Sequence, residues 1–234
     1  MSGDLRFIEL AQKLQAVQKN RAHDLSVALV EVTSAAASAI PGAAYAGVTL
    51  LSSKDDRVAT TASSHKYAAL LGKIQKRHRE GPCLHAARRG EAVVVDDIAA
   101  DDRWPRYRQD ALACTPVRSV LSLPMFYEST RLGALNAFAD DVDAFDDTSR
   151  NTAAVYAALG ALAWGSFVLH RQMTAAVESR DIIGQAKGML MERYKIDAEQ
   201  AFGILRKMSQ SSNTALRTVA GGLVGARDTA VVDD

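Results

Sequence analysis

Cysteine is scarce in this chain: 234 residues contain two, Cys83 and Cys114. Two thiols cannot build a disulfide framework, and so low a count suits a reducing compartment. Net charge is nearly absent, +1 at pH 7, and that balance alone points to no polyanionic partner. The opening "MSGDLRFIEL" has no basic segment followed by an apolar core, so no secretion signal is expected. A phosphate-binding glycine loop, a Gly-x-Ser-x-Gly elbow and a His-Glu-x-x-His pair are all missing. One stretch lacks charge altogether: "NTAAVYAALGALAWGSFVLH", residues 151–170, contains no Asp, Glu, Lys or Arg. About twenty mostly apolar residues can cross a bilayer. This run is rich in alanine and interrupted by Gly160, Gly165 and Ser166, so a packed helix is expected there and no membrane span.

What is present is ordinary in bulk, 48% apolar and 24% charged, the composition of a globular protein of one large or two modest domains. The charge is unevenly distributed. Residues 1–179 hold 20 basic and 20 acidic side chains, whereas residues 180–227 hold eight basic and four acidic. A neutral body therefore carries a small basic module. Such a module is the footprint of a nucleic-acid binder, although a solvated face has the same look.

Hydrophobic periodicity orders the chain. Phe7, Leu10, Leu14 and Val17 mark a helix over residues 4–22. Leu25, Leu29, Val32, Ala36 and Ile40 mark a second over about 24–40, ended by Pro41 and Gly42. Strand-like runs at 45–53 and 57–64 flank the polar "KDD", and the helical "KYAALLGKIQKRHRE" follows. Next come a loop, "EGPCLHAARRGE", and a short strand, "AVVVDD". Two further strands, "VRSVLSLPMFYES" and "LGALNAFAD", meet at a turn placed on Thr130 and Arg131. Short strands with clustered helices predict an α+β layer with an antiparallel sheet.

No proline occurs between Thr148 and Lys195. Val155, Leu159, Leu162, Ser166, Leu169, Met173, Ala176, Arg180, Ile183, Lys187, Leu190 and Tyr194 recur at alternating intervals of four and three. This heptad seam predicts a coiled coil between two subunits; the alternative is that residues 148–175 pack on their own sheet. Lys187 is anomalous, an ammonium where the stripe asks for an apolar side chain. Farther on, Asp197 and Gln200 form an N-cap pair. Ala198, Ala201, Phe202, Leu205 and Met208 form one apolar stripe, and Ser212 or Asn213 caps a third helix containing Leu216, Val219, Ala220 and Leu223.

Candidate chemistry is thin in the body of the chain. His78, Cys83 and His85 lie close in sequence but lack the paired short spacings of a zinc site. Cys83 is read as a buried thiol in a Gly-Pro turn. Asp96 and Asp97 are read as ending a strand, and Asp102 as capping the turn to Trp104. No catalytic constellation, metal or cofactor is expected. The basic module offers more. Arg206 and Lys207 lie off the apolar stripe and should face outward; Arg193 and Lys195 end the preceding helix; Arg217 is polar on the third. Arg and Lys grip RNA phosphates while flat side chains stack on bases. A helix-turn-helix reader of DNA needs several polar side chains on its recognition helix, and "TALRTVAGGLV" has few.

Residues 179–224 resemble the ANTAR domain, an RNA-binding antiterminator module, through "SRDIIGQAKGMLMERY", "AEQAFGILRKMS" and "NTALRTVAGGLV". Residues about 24–170 resemble a GAF sensor domain of the kind that precedes ANTAR in actinobacteria. "IPGAAYAGVTLL", "EGPCLHAARRGE", "VVVDDIAADDRWPRY", "VRSVLSLPMF", "RLGALNAFA" and "FDD" carry that likeness. The resemblance implies an RNA surface containing the motif positions Gln185, Ala186, Lys187, Gly188, Arg193, Arg206 and Ser209, to which the residue pattern adds Lys207 and Arg217. It also implies a GAF-like fold leading into a three-helix bundle. The expected organisation is an N-terminal helix in a dimer bundle (1–22), a GAF domain (23–172), an ANTAR domain (173–226) and a flexible tail (227–234).

The function these features imply is a cytoplasmic, dimeric, signal-regulated antiterminator. It would bind paired hairpins in a nascent RNA and stop an overlapping terminator from forming. The GAF domain would take an unidentified small-molecule or protein signal. Lys187 would then keep its place because the stripe changes from helix partner to RNA surface, with Gly188 allowing close approach. Two rivals remain: a ligand-sensing GAF protein whose helical C-terminal domain binds a protein partner, and an enzyme using Cys83.

Overall fold

The computed structural model of the chain describes residues 12, 25–51, 58–127 and 130–228. The expected helix of Phe7, Leu10, Leu14 and Val17 and the "KDD" turn lie outside the described residues, as does the tail from residue 229. The chain divides into two compact units, Met1–Val168 and Leu169–Asp234.

The first unit opens with helix α1 (Leu25–Ala39), followed by β1 (Tyr45–Leu51), β2 (Val58–Ser63), α2 (Lys66–His78), α3 (Pro82–Arg89) and β3 (Val93–Val95). After a 3-10 turn at Ile98–Ala100 come α4 (Pro105–Cys114), β4 (Ser119–Tyr127) and β5 (Thr130–Ala139). The strands form one antiparallel sheet in the order β2-β1-β5-β4-β3. Gly42, at φ +79°, ends the α1 connection in a conformation natural to glycine. A Cβ there would collide with the Ala144 carbonyl oxygen.

Each face of the sheet has its own core. Leu29, Val32 and Ala36 of α1 pack with Val48, Leu121, Leu123, Met125 and Leu135 on one face. Leu71 and Ile74 of α2, Ala86 of α3 and Tyr107 of α4 pack with Val120, Ala134 and Phe138 on the other. The architecture is thus α+β, one antiparallel sheet between two helical layers.

Several sequence-based expectations are corrected. "EGPCLHAARRGE" is not a loop: its centre is helix α3, with Pro82 in the first turn and Gly90 closing the helix in the left-handed region at φ +74°. Helix α4, absent from the periodicity reading, also starts on a proline, Pro105. Its free amides are capped from afar. Glu80 Oε1 accepts hydrogen bonds from the backbone N–H of Arg106 and Tyr107, at 2.6 and 2.9 Å. Thr130 and Arg131 are strand residues rather than a turn, because Thr130 already pairs with Tyr127.

Helix α5 (Asp147–Tyr194) runs 48 residues. Asp146 starts it, accepting from the Ser149 backbone N–H and hydroxyl at 2.8 and 2.9 Å. The charge-free stretch is the part of α5 that covers the sheet. Ala153, Tyr156, Ala157 and Ala161 are buried, and Gly160 admits Met125, whose methyl would lie 2.9 Å from a Cβ. By length and hydropathy α5 passes as a membrane span, yet this face is part of the protein's own core. The heptad seam occupies the opposite face. Leu162 is 63% exposed, and Val155, Leu169 and Met173 are exposed too. The sheet therefore takes the alanines and leaves the large seam residues uncovered, apart from Leu159, which packs against the core. Helices α6 (Ala198–Ser211) and α7 (Leu216–Asp228) complete the second unit, so residues 227 and 228 are helical rather than tail.

Candidate nucleic-acid interface

The second unit is a three-helix bundle with a small core. Ala186 and Leu190 of α5, Ala201 and Leu205 of α6 and Ala220 of α7 are buried, with Ile182, Ile183, Ile204, Leu216, Val219 and Leu223 packed around them. Alanine at three of the five central positions lets the helix backbones approach closely. The predicted cap is formed in full. Asp197 Oδ1 accepts from the N–H of Glu199 and Gln200 at 3.0 and 2.8 Å, and Gln200 Oε1 accepts from Asp197 N at 3.2 Å. That closes a capping box and fixes the start of α6.

The buried face of α5 keeps only part of the heptad seam, Ile183 and Leu190. Ile182, Ala186 and Leu190 point inward, while Arg180 and Tyr194, both seam positions, are exposed, Tyr194 by 58%. A straight helix has 3.6 residues per turn, so a 3.5-residue repeat drifts about 20° per heptad. The drift turns the core face partly off the seam, so that its last position, Tyr194, falls outside the core. Tyr194 is therefore a surface side chain, with the Arg193 guanidinium 6.0 Å from its ring centre, and the expectation of a core role is corrected. On α6 only Ala201, Ile204 and Leu205 of the region's apolar residues face the core. Phe202 and Met208, expected inside, are about two-fifths exposed. Ser212 does not cap the third helix. Its hydroxyl donates to the Met208 carbonyl at 2.8 Å, closing α6, and Asn213 turns the chain at φ +48°.

The candidate RNA residues separate into two groups. Ala186 is fully buried and packs the bundle, so it offers no surface to a ligand. Ser209 is half-buried, and its hydroxyl donates to the Thr214 carbonyl at 2.6 Å, which ties α6 to the turn before α7. Gln185, Gly188, Arg193, Arg206, Lys207 and Arg217 are exposed, and Lys187 is half-buried. Among the described residues, Lys187, Arg206, Lys207 and Arg217 form no ion pair; Lys195 pairs with Glu192 at 3.5 Å on the open surface. The unpaired cations are thus fully available to an anion. Gly188 meets nothing within 4 Å at its Cβ position, so no contact inside the chain requires a glycine there.

Gln185 and Lys187 share an open cleft of about 630 Å³ with Arg180, Asp181, Ile183, Gly184 and Phe202. Sequence reasoning did not name Asp181 or Phe202 as surface groups, and it placed Arg180 only where the stripe changes to an RNA surface. For Phe202 the residue pattern gave no sign, since adjacent residues such as Ile204 and Leu205 do share the core face.

The first unit holds its reactive side chains in structural roles. Cys83 is buried at the start of α3. Gln75 Oε1 accepts from the Cys83 and Leu84 backbone N–H at 2.9 and 3.2 Å. Burial pushes the Cys83 thiol up to about 11, and burial, with Cys83 nearby, raises the Tyr107 hydroxyl well above its ordinary value. His78 pairs with Asp110, Nε2 to Oδ2 2.6 Å. Asp97 caps the 3-10 turn through Ala99 N at 2.9 Å and receives the Arg118 guanidinium at 2.8 and 3.0 Å. The Arg118 side chain, then the Ala99 amide, hold the Asp97 carboxyl below its ordinary value against a small opposing effect of desolvation. The turn to Trp104 is capped by Asp101, which accepts from Arg103 N at 3.0 Å, and not by Asp102, which pairs with Arg108. Among the described residues no three His, Cys, Asp or Glu side chains converge as metal ligands.

A protonated, enclosed thiol is a poor nucleophile. Iodoacetamide at pH 8 should therefore label Cys114, which is exposed, while Cys83 reacts only after unfolding, and Cys83→Ser should leave RNA affinity unchanged. Peptide mass mapping of the folded protein checks the first point; equal labelling of both thiols would contradict the burial argument.

Comparison with known proteins places both parts. The GAF domain model matches residues 22–164, and the ANTAR domain model matches residues 171–224. No curated protein sequence matches the chain. Among solved structures, the chain is similar to the free methionine-R-sulfoxide reductase of Neisseria meningitidis (TM-score 0.53, 18% identity, covering 73% of this chain and 94% of that one). It is also similar to the GAF domains of phosphoenolpyruvate-protein phosphotransferases from Acinetobacter (TM-score 0.53, 15% identity, 72% and 96%) and Coxiella burnetii (TM-score 0.51, 15% identity, 74% and 98%). At these identities the likeness shows the fold alone.

Proposed function

Because the chain belongs to the GAF domain family and carries an ANTAR domain behind that domain, we propose that it is a signal-regulated RNA-binding antiterminator of the cytoplasm. Its C-terminal bundle grips paired hairpins of a nascent transcript and so prevents an overlapping terminator. The observation that carries this reading is the ANTAR match over residues 171–224, whose motif side chains Gln185, Lys187 and Arg206 stand at the bundle surface. The GAF domain receives the signal, a small molecule or a protein, and no step of the mechanism requires a cofactor or metal. GAF and ANTAR are regulatory domains, and the thiol that an enzyme reading would use is enclosed and protonated.

The cations divide the work by chemistry. Lys187 presents a point charge suited to phosphate, whereas Arg206 presents a planar fork that can bind phosphate or a base edge. A homodimer brings two bundles to two hairpins, and the exposed apolar face of α5, from Val155 to Met173, supports such pairing. The rival partner is a protein, favoured by the exposed Tyr194, Phe202 and Met208.

A gel shift with the full chain separates the two. A leader RNA with two adjacent hairpins should bind, a scrambled RNA of equal length should bind less, and affinity should fall with salt. Each phosphate contact to a single-stranded loop steepens the log–log slope by about 0.7. Equal, weak binding of both RNAs would sink the antiterminator reading and leave the protein-partner one.

A further inference from the structure

We infer that the Phe202 ring is a stacking platform for one unpaired RNA base that enters the cleft between α5 and α6. The inference rests on the RNA reading above and goes beyond it by naming the contact that recognises a base.

Phe202 has no structural task in its own bundle. It is 41% exposed and lies outside the core formed by Ala186, Leu190, Ala201, Leu205 and Ala220. The exposed part of the ring is an apolar surface that a ligand gains by covering. The cleft it lines holds about 630 Å³, ample for a nucleobase, and is open on one side. Its wall is mixed in a way that suits a base more than a phosphate. Lys187 and Arg180 supply positive charge, but Asp181, also in the wall, offers only acceptors and would repel a phosphate. Gln185 adds one donor group and one acceptor. A base has a π-face for the ring and an edge carrying N–H donors and carbonyl acceptors for Asp181 and Gln185. The phosphate that follows it can lie on Lys187. Gly184 has nothing within 4 Å of its Cβ position, so the entrance is not narrowed from that side. Unpaired bases of RNA loops are recognised in this manner, by stacking on a flat side chain with hydrogen bonds to the base edge.

The test uses the full chain and a pool of two-hairpin RNAs with randomised loops. RNAs enriched by the wild-type protein are then measured against Phe202→Leu, which keeps an apolar side chain without a π-face, and against Phe202→Tyr, which keeps the ring. Phe202→Leu should lose affinity by about 5- to 150-fold, the range given by one lost base stack. Its salt slope should not change, since no phosphate contact is removed. Phe202→Tyr should bind like wild type. A 2-aminopurine placed at one loop position should change its fluorescence on binding wild type, as its base leaves the loop stack, and not on binding Phe202→Leu. Both variants should melt with the wild type, because the ring is outside the core. If Phe202→Leu binds the enriched RNAs with wild-type affinity and loop preference, the stacking platform is wrong and the RNA reading stands. If the wild-type protein enriches no RNA from the pool, both fall together.

Discussion

Lys187→Ala and Arg206→Ala should each weaken binding to a two-hairpin RNA while the protein stays folded. Neither side chain belongs to the bundle core, and neither is tied up in an ion pair among the described residues. Removing them costs the fold little but removes a positive group that an RNA can use. The loss of Lys187 should reduce affinity for all hairpin sequences alike and flatten the log–log salt dependence by about 0.7. Arg206→Ala shows the same behaviour if the guanidinium binds phosphate. If it reads a base edge, discrimination at one loop position relaxes instead. Leu205→Ala is the internal contrast. It is one residue from Arg206 but fully buried. Truncating a buried leucine costs about 2–5 kcal/mol, a large share of what so small a bundle can hold. It should therefore unfold or loosen the C-terminal unit, seen as an early loss of helical circular dichroism. If Lys187→Ala and Arg206→Ala both bind with wild-type affinity and salt slope, the proposed RNA surface is wrong.

Leu162→Glu should convert a dimer into a folded monomer. Leu162 is 63% exposed in the single chain, so the charge adds no strain to the protein's own core. In a dimer paired along α5 it would enter an apolar seam, where an unpaired charge is costly. A two-fold interface is self-complementary, so one substitution puts two carboxylates into it. The neighbouring Ala161→Glu provides the opposite result. Ala161 is buried against the sheet, and a charge there should disrupt the first unit itself. Analytical ultracentrifugation at about 20 µM, a concentration where a micromolar dimer is largely assembled, checks both. A wild-type chain that sediments as a monomer removes the pairing argument, whatever the variants do.

The two outcomes depend on faces of one helix, and the faces show where sequence reasoning stops. Periodicity identified α5 as long and uninterrupted, and it found the seam. It could not say that Ala153, Ala157 and Ala161, the small residues, would take the sheet while Leu162 and Met173 stayed outside. Apolar side chains on two faces of a helix compete for one core, and only the approach of the sheet decides between them. Here Met125 and Val32 reach Gly160, and close contact selects small residues. Past residue 180 the same limit recurs in another form. The seam extrapolates at 3.5 residues per turn, but the bundle is packed around Ile182, Ala186 and Leu190, which leaves the seam's last position, Tyr194, at the surface.

Local rules carried the order of elements, the α+β class, the capping box of Asp197 and Gln200 and the basic character of residues 180–227. Each follows from a residue's own conformational preference or from neighbours within one helical turn. The two helices that begin on Pro82 and Pro105 escaped periodicity because they are short; a proline at the first turn with a glycine eight residues later was the local sign for the first. For the second the decisive partner is remote. Glu80 lies 26 residues before Arg106, whose amide it caps. The cleft of Lys187, Gln185 and Phe202 belongs to the same kind of fact. The chain determined which side chains could hold an RNA. Tertiary packing decided which of them face water, because burial depends on what the neighbouring helix covers and not on the residue itself.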